Sequence, residues 1–254
     1  MTDILDGFNP RQPGILLPEM VVSAKARVPS LAISCFSKKL HDAMLDRHGG
    51  EAVGKFKTED GGIPIYKVAY HGYEVALYMS RVGAAAAVIQ LEEIIAMGAR
   101  KLVVMGSCGA LTKDIQYGDL FLPVSGIRDE GTSYHYAPAE AEVRTSERII
   151  AVMEEELNHS GLKWWKGKTW TTDGLYRETE EKFLLRKSQG CRTVEMEYTG
   201  LQAAAAFRGI EFGQIFYCED NLDHPEWEDR GYLPANQEKS EQLLELPFRC
   251  VTKI

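Results

Sequence analysis

Short apolar runs alternate with amphipathic stretches along most of the chain after residue 28. Apolar or alternating runs bounded by turn residues predict strands, and longer stretches with a helical period predict helices. The predicted strands are residues 31–36, 64–70, 73–79, 101–105, 119–124, 168–172, 193–196 and 213–218. The predicted helices are residues 38–48, 84–97, 147–160, 178–188, 197–208 and 237–248.

This order of elements predicts a mixed α/β sandwich, because strands that alternate with helices favour a sheet covered by helices. Residues 1–28 are rich in Pro and Gly and show no clear period, which predicts an N-terminal arm lying across the body or a neighbouring subunit. Residues 29–254 show no internal repeat and no shift in composition. We therefore expect them to form a single domain.

Composition narrows the function classes. The chain has 254 residues, of which 44% are hydrophobic, enough for one sizeable core, and its net charge is −8. An acidic chain without a basic run is a poor candidate for binding nucleic acid or an anionic membrane. No apolar run reaches the roughly 18 residues of a membrane span, and the N-terminal residues are polar, so a cytoplasmic protein is expected.

The cysteines and histidines predict neither disulfides nor a metal. Five cysteines are widely spaced, with no CxxC pair among them. This pattern fits free thiols in a reducing compartment. No pair of histidines has the spacing of metal ligands, so no metal site is predicted.

Three short motifs follow predicted strands and offer chemistry. Gly106–Ser107–Cys108–Gly109 allows a backbone to approach an anion, although a tight turn is the simpler interpretation. Val194–Glu195–Met196–Glu197 presents a carboxylate able to accept two hydrogen bonds from a diol, or simply two solvated acids at a helix start. Cys218–Glu219–Asp220–Asn221 places acids at a strand end, as general-acid candidates or a solvated turn.

A fourth segment, residues 128–136, is polar and aromatic and has no helical or strand period. It is predicted to be a loop that orders over a ligand or packs at a subunit interface. His135 within it is more typical of a structural hydrogen-bonding residue than of a catalytic one.

Taken in order, these motifs resemble the nucleoside phosphorylase family, which includes purine nucleoside phosphorylases, uridine phosphorylases and methylthioadenosine nucleosidases. The resemblance covers roughly residues 30 to 222. Besides the three motifs above, it rests on Arg81–Val82–Gly83 with the helix that follows, on Ala110, and on Gly118–Asp119–Leu120. The pairing of G-S-C-G-A with V-E-M-E some ninety positions later is its most specific part.

The resemblance implies a three-layer fold with a central mixed, partly barrel-like sheet flanked by helices. It implies a homo-oligomer, either a dimer or a hexamer built as a trimer of dimers. It also implies the reaction, in which inorganic phosphate attacks the anomeric carbon of a ribonucleoside to give free base and ribose 1-phosphate. No cofactor is expected beyond phosphate as co-substrate, and the partners are small molecules.

The resemblance assigns residues to each part of the substrate. Ribose is assigned to Glu197, Met196 and Glu195. Phosphate is assigned to Ser107, Gly106, Arg81, Lys39 and Ser37. The base is assigned to Tyr176, Cys108 and Gly109, with Asp220 as the acid that protonates a purine and Arg230 as a residue that polarises Asp220.

The chain departs from the family pattern in both the anion site and the base site. Val104 stands where the family carries an arginine two residues before the first glycine, and Phe36–Ser37–Lys38–Lys39 replaces an early phosphate loop. The uracil-reading glutamine and arginine are absent near Thr179 and Glu181, and Asp220 favours a purine over uridine. Two alternatives stay open: a nucleosidase that uses water, and a non-catalytic nucleoside-binding protein.

Overall fold

The described part of the chain forms ten strands and seven α-helices. The computed structural model describes residues 8–23, 26–57, 61–223 and 237–254. The strands are β1 Leu31–Cys35, β2 Glu51–Phe56, β3 Ile63–Tyr70, β4 Tyr73–Met79, β5 Lys101–Ala110, β6 Leu120–Asp129, β7 Val143–Arg144, β8 Trp164–Thr172, β9 Cys191–Glu195 and β10 Glu211–Asn221. The helices are α1 Pro18–Val21, α2 Lys38–His48, α3 Ala84–Met97, α4 Glu147–His159, α5 Glu180–Ser188, α6 Tyr198–Arg208 and α7 Gln237–Lys253.

Half of the sheet closes on itself. Strands β10, β6, β8, β9 and β5 pair in that order, and β10 also pairs with β5, so these five strands form a ring. Strands β1, β4, β3 and β2 extend from β5 as an open sheet, and β7 pairs with β6. The ring mixes parallel pairs, such as β5 with β10, and antiparallel pairs, such as β5 with β9. The prediction of a mixed, partly barrel-like sheet is confirmed.

Helices cover both faces of this sheet. Helices α3 and α6 contact each other on one face, where Leu91, Tyr198 and Phe216 are fully buried. Helices α4 and α7 contact each other on the opposite face, where Met153 of α4 shares a buried cluster with Met105 of β5. A fully buried apolar side chain of this size contributes about 1.5–3 kcal/mol. These two cores hold the ring rigidly, which fixes the strand ends that carry the candidate site.

The helix boundaries follow from local chemistry. The side chains of Ser37, Ser146 and Thr179 accept hydrogen bonds from the first turns of α2, α4 and α5. Gly98 ends α3 at a φ of 131° and Gly209 ends α6 in the left-handed region, conformations that glycine adopts at least cost.

Several predicted boundaries were wrong. The G-S-C-G-A motif is not a loop after a strand, because β5 continues through it to Ala110 and pairs there with both β9 and β10. The predicted loop at 128–136 begins inside β6, which ends at Asp129. Strand β10 likewise continues to Asn221 and includes the acids that were predicted to follow it. Strand β2 was not predicted.

The predicted arm is described for residues 8–23 and 26–28. Most of its described residues are exposed, and it contains the single-turn helix α1. The ring of Phe8 contacts the ring of Phe207 at 6.2 Å, and α1 contacts α3. The division into an arm and one domain stays a prediction.

Candidate active site

A cavity of about 770 Å³ opens where β5, β9 and β10 end, beside a short 3-10 turn, Leu175–Arg177. Its wall brings together eight of the predicted site residues from distant parts of the chain. These are Ser107, Cys108, Gly109, Tyr176, Glu195, Met196, Glu197 and Asp220. The register explains the meeting, because Gly109 pairs with Val194 on one side and with Asp220 on the other.

Four predicted phosphate residues do not line this cavity. The hydroxyl of Ser37 accepts the backbone N–H of Leu40 and so caps α2, and Lys39 is exposed on the same helix. Gly106 lies against the ring of Phe36, which would be 3.1 Å from a Cβ at that glycine. Arg81 is half-buried in the turn before α3. The predicted Arg230 lies outside the described residues.

Glu195 organises the start of α6. Its Oε2 accepts the backbone N–H groups of Glu197 and Tyr198, both at 2.7 Å, and its Oε1 accepts the hydroxyl of Thr171 at 2.6 Å. Burial raises the pKa of Glu195 to about 7, against these hydrogen bonds, which lower it. The carboxylate predicted to bind ribose is therefore used internally, and it holds the backbone on which Glu197 sits.

Glu197 is the buried carboxyl group that faces the cavity from the start of α6. Its Oε1 accepts the backbone N–H of Gly83 at 2.6 Å. Gly83 has a φ of 95°, which side-chain-bearing residues rarely adopt, so the turn before α3 can aim its N–H at the carboxylate. Burial, followed by the charge of Glu195, raises the pKa of Glu197 to about 8.

Gln90 secures the turn that carries Arg81 and Gly83, and the sequence analysis did not identify it. Its Oε1 accepts the backbone N–H of Arg81 at 2.7 Å, and its Nε2 donates to the carbonyl of Met79 at 3.2 Å. Gln90 is fully buried. The sequence signal that could have identified Gln90 is a polar residue at a core position of an otherwise apolar helix.

Acidic side chains surround the other end of the cavity. Asp220 lies over Gly109, and Glu178 and Glu219 line the wall beside it. Burial, followed by the negative charge of Asp220, raises the pKa of Glu178 to about 7. Tyr176 is 95% exposed at the cavity rim. Sequence analysis did not assign Glu178 to the site and predicted it as the first residue of a helix, whereas it stands in the turn before α5.

The predicted anion side of the cavity is poor in positive charge. Val104, at the family's arginine position, is 1% exposed and belongs to the core. Phe36 contributes an aromatic wall near Gly106. Among the described residues that line the cavity there are five carboxyl groups and no lysine or arginine.

The segment at residues 128–136 is anchored to α6. Glu130 accepts the backbone N–H groups of Thr132 and Ser133, and its other oxygen accepts the hydroxyl of Thr199. His135 is exposed and does not line the cavity. This segment therefore supports the helix that carries Glu197.

One group in the described part of the chain has metal-like spacing, namely Glu155, Glu156 and His159 on α4. Glu156 there is paired with Lys253 and, at 3.3 Å, with Arg249. A carboxylate already neutralised by two cations is a poor metal ligand. No described helix combines the length and the apolar character that crossing a bilayer requires.

The sequence model of the phosphorylase superfamily matches residues 45–251, which include every described segment of the cavity wall except Phe36. The chain belongs to the phosphorylase superfamily. It is 25% identical over 190 residues to a guanosine phosphorylase of Halorubrum lacusprofundi, a match that covers 73% of each chain. It is 27% identical over 160 residues to a purine nucleoside phosphorylase of DeoD type from Caldanaerobacter subterraneus, covering 60% of this chain and 67% of the relative.

A solved structure shares the fold of this phosphorylase superfamily member. The purine nucleoside phosphorylase of Toxoplasma gondii in complex with immucillin-H superposes with a TM-score of 0.76 at 15% identity, covering 94% of this chain and 97% of that one. The nucleoside phosphorylase assignment and the fold predicted from the sequence are both confirmed at the level of the family.

Proposed function

We propose that the protein cleaves the N-glycosidic bond of a ribonucleoside with inorganic phosphate, giving free base and ribose 1-phosphate. One observation carries this proposal: Ser107, Glu197 and Asp220, from β5, the start of α6 and β10, line a single cavity. Bond cleavage makes the sugar positive and the base negative. A site for this reaction needs an anion at one end and a proton donor at the other, and each well-placed electrostatic contact is worth about 3 kcal/mol.

At the sugar, Glu197 accepts hydrogen bonds from the 2′- and 3′-hydroxyls, and Met196 packs against the ring. The internal bond from Gly83 fixes Oε1 of Glu197, and the side chain lines the cavity. Glu195 acts through this geometry as a positioning residue, because its Oε2 accepts the backbone N–H groups of both Glu197 and Tyr198.

For the base, two observations favour a purine nucleoside over uridine. Asp220 matches the acid of purine-specific members, and two relatives are named for guanosine and purine nucleosides. Tyr176 lies at the rim, where an aromatic ring would stack on the base, and Cys108 and Gly109 form the floor.

At the phosphate, Ser107 is the ligand that the cavity wall supports, with Arg81 in the adjoining turn. Hydrolysis by water is the second candidate, and a specific observation favours it. Val104 and Phe36 place apolar groups where the family pattern has phosphate ligands. A weak anion site would let water compete as the nucleophile.

We further propose a homo-oligomer, either a dimer or a hexamer built as a trimer of dimers, without any cofactor. Exposed apolar side chains, Val82, Leu175 and Tyr176, surround the cavity opening. A second copy of the chain would bury them and close the site. A cytoplasmic location is proposed from the five free cysteines, all of which are buried.

The test is base release from a panel of purine and pyrimidine ribonucleosides with and without phosphate, followed by chromatography. Phosphate-dependent release of a purine, with ribose 1-phosphate as the second product, is the expected result. Release at the same rate without phosphate would replace phosphorolysis by hydrolysis. No release from any nucleoside by folded protein would overturn the proposal.

A further inference from the structure

The base end of the cavity holds more carboxyl groups than one proton transfer needs. Asp220 was predicted to be the acid, yet Glu178 and Glu219 line the same wall. Asp220 and Glu219 belong to β10, whereas Glu178 comes from the turn before α5. Two acids from independent elements therefore converge on the position assigned to the leaving base.

Glu178 is placed by the backbone around it. The 3-10 turn Leu175–Arg177 ends at Glu178, and α5 begins two residues later, capped by Thr179. Lys187 on α5 bonds Asp223 at 2.7 Å, which ties this helix to the end of β10. The spacing between Glu178 and Asp220 is thus set by two anchored elements. Within the described part of the chain, the side chain of Glu178 makes no hydrogen bond or ion pair.

Two carboxyl groups that line the same partly buried wall do not both ionise readily, so one of them keeps a proton. Burial of Glu178, and after it the negative charge of Asp220, raises the pKa of Glu178 to about 7. The other titratable groups of the wall are Glu219 beside Asp220, Tyr176 at the rim, Glu195 and Glu197 beside the sugar position, and Cys108. A general acid works best when its pKa lies near the working pH.

We propose that Glu178 is the proton donor to the leaving base and that Asp220, on the same wall of the cavity, is its partner carboxyl group. This inference rests on the proposed function. In the step, the C1′–N bond breaks and its electron pair moves into the base. The proton of Glu178 moves to a ring nitrogen of the base, and an oxygen of phosphate forms the new bond to C1′. Glu178 is left as a carboxylate and is reprotonated from solvent.

The test compares Glu178→Gln, Asp220→Asn and the control Glu180→Gln on two substrates. Glu180 is exposed on the first turn of α5 and does not line the cavity. One substrate is a purine ribonucleoside, and the other is its N7-methylated cation, whose base leaves without gaining a proton. Wild-type kcat on the unmethylated nucleoside should fall as pH rises through about 7, because the acid loses its proton there.

Glu178→Gln should lower kcat on the unmethylated nucleoside by about 10²-fold or more and abolish this alkaline fall. It should change kcat on the methylated cation by less than about tenfold. Asp220→Asn should move the alkaline fall to lower pH, because the charge that raises the pKa of Glu178 is gone. Glu180→Gln should behave as wild type on both substrates.

The inference is overturned if Glu178→Gln keeps the wild-type pH profile while Asp220→Asn abolishes it, or if Glu178→Gln slows both substrates equally. The proposed function fails separately, when the wild-type protein releases base from neither substrate. Direct titration of 13C-labelled glutamate by NMR gives a readout that does not need turnover. A glutamate signal that titrates near pH 7 in wild type and is lost in Glu178→Gln supports the inference, and its absence contradicts it.

Discussion

The carboxylate of Asp220 lies directly over the backbone of Gly109, so close that a Cβ at this glycine would be 2.9 Å from Oδ1. The same Cβ would lie 2.7 Å from Leu222 Cδ1 and 3.2 Å from Val194 Cγ1. The glycine of β5 therefore sets the depth to which the acid of β10 enters the cavity.

Gly109→Ala should displace Asp220 and reduce kcat on a purine nucleoside by about tenfold or more, since small misplacements of catalytic groups are costly. The added methyl group should also lower the free energy of unfolding by about 1–3 kcal/mol through overpacking. Steady-state kinetics and urea unfolding measure the two effects. The buried neighbour Ala110 is the matched site: if Ala110→Gly loses as much activity, the contact with Asp220 is not the cause.

Glu197→Gln should abolish activity. It should also make the folding stability less dependent on pH than in wild type. The pKa of Glu197 is raised to about 8 in the folded protein, above its ordinary value of 4.5, so the folded state holds the proton more tightly than the unfolded state. Folding stability should therefore fall as pH rises from about 4.5 to about 8. In the Glu197→Gln variant, the amide oxygen can still accept the N–H of Gly83, but the side chain has no charge and does not titrate.

The measurement is Tm across pH 5 to 9 for both proteins, together with kcat/KM. Wild type should lose stability over this range more steeply than the variant. Parallel Tm curves would show that Glu197 does not hold its proton in the folded protein.

Thr171→Val should loosen the start of α6 without touching ligand. The hydroxyl of Thr171 donates to Glu195 and accepts the backbone N–H of Thr199 at 3.1 Å. Leaving these buried partners unsatisfied costs about 1–3 kcal/mol. KM for nucleoside should rise as Glu197 loses its position.

Thr169→Val is its control, because the Thr169 hydroxyl lies 3.5 Å from the same Glu195 oxygen and its bond there is weaker. Equal losses of stability and affinity in the two variants would assign the effect to packing of β8 rather than to the carboxylate.

Ser107→Ala and Lys39→Ala should separate the predicted phosphate ligands. Ser107 lines the cavity, whereas Lys39 is exposed on α2. We expect Ser107→Ala to raise KM for phosphate by about tenfold, the effect of one lost hydrogen bond to a charged group, and Lys39→Ala to leave it unchanged. A rise in Lys39→Ala would mean that α2 reaches the anion.

Sequence patterns predicted the elements of the fold well where the period was long, as in α3 and α6. They failed at G-S-C-G-A, since glycine is depleted in strands, yet pairing with β9 and β10 on both sides overrides that preference. The edge strand β2 was missed because its sequence, EAVGKF, is half polar and contains a glycine.

The site was predictable where motif residues line the cavity, as with Glu197 and Asp220. It was less predictable where their side chains accept hydrogen bonds from the backbone. Nothing in V-E-M-E distinguishes the carboxylate that caps α6 from the one that faces the cavity, because that depends on Thr171, in another strand. Gln90 left only a polar residue among the apolar positions of α3 as its signal, and Glu178 acts beside Asp220 of a distant strand, so no local pattern reveals its role.

The closed ring of strands has a consequence for how the protein loses its native structure. Every strand of the site, β5, β9 and β10, is a member of the ring, so none of them has a free edge along which it can shift alone. A register change in one strand must propagate through all five or open the ring. Catalytic geometry should therefore disappear in a single step together with the ring, while β2, at the open end of the sheet, can fray and re-form with turnover intact.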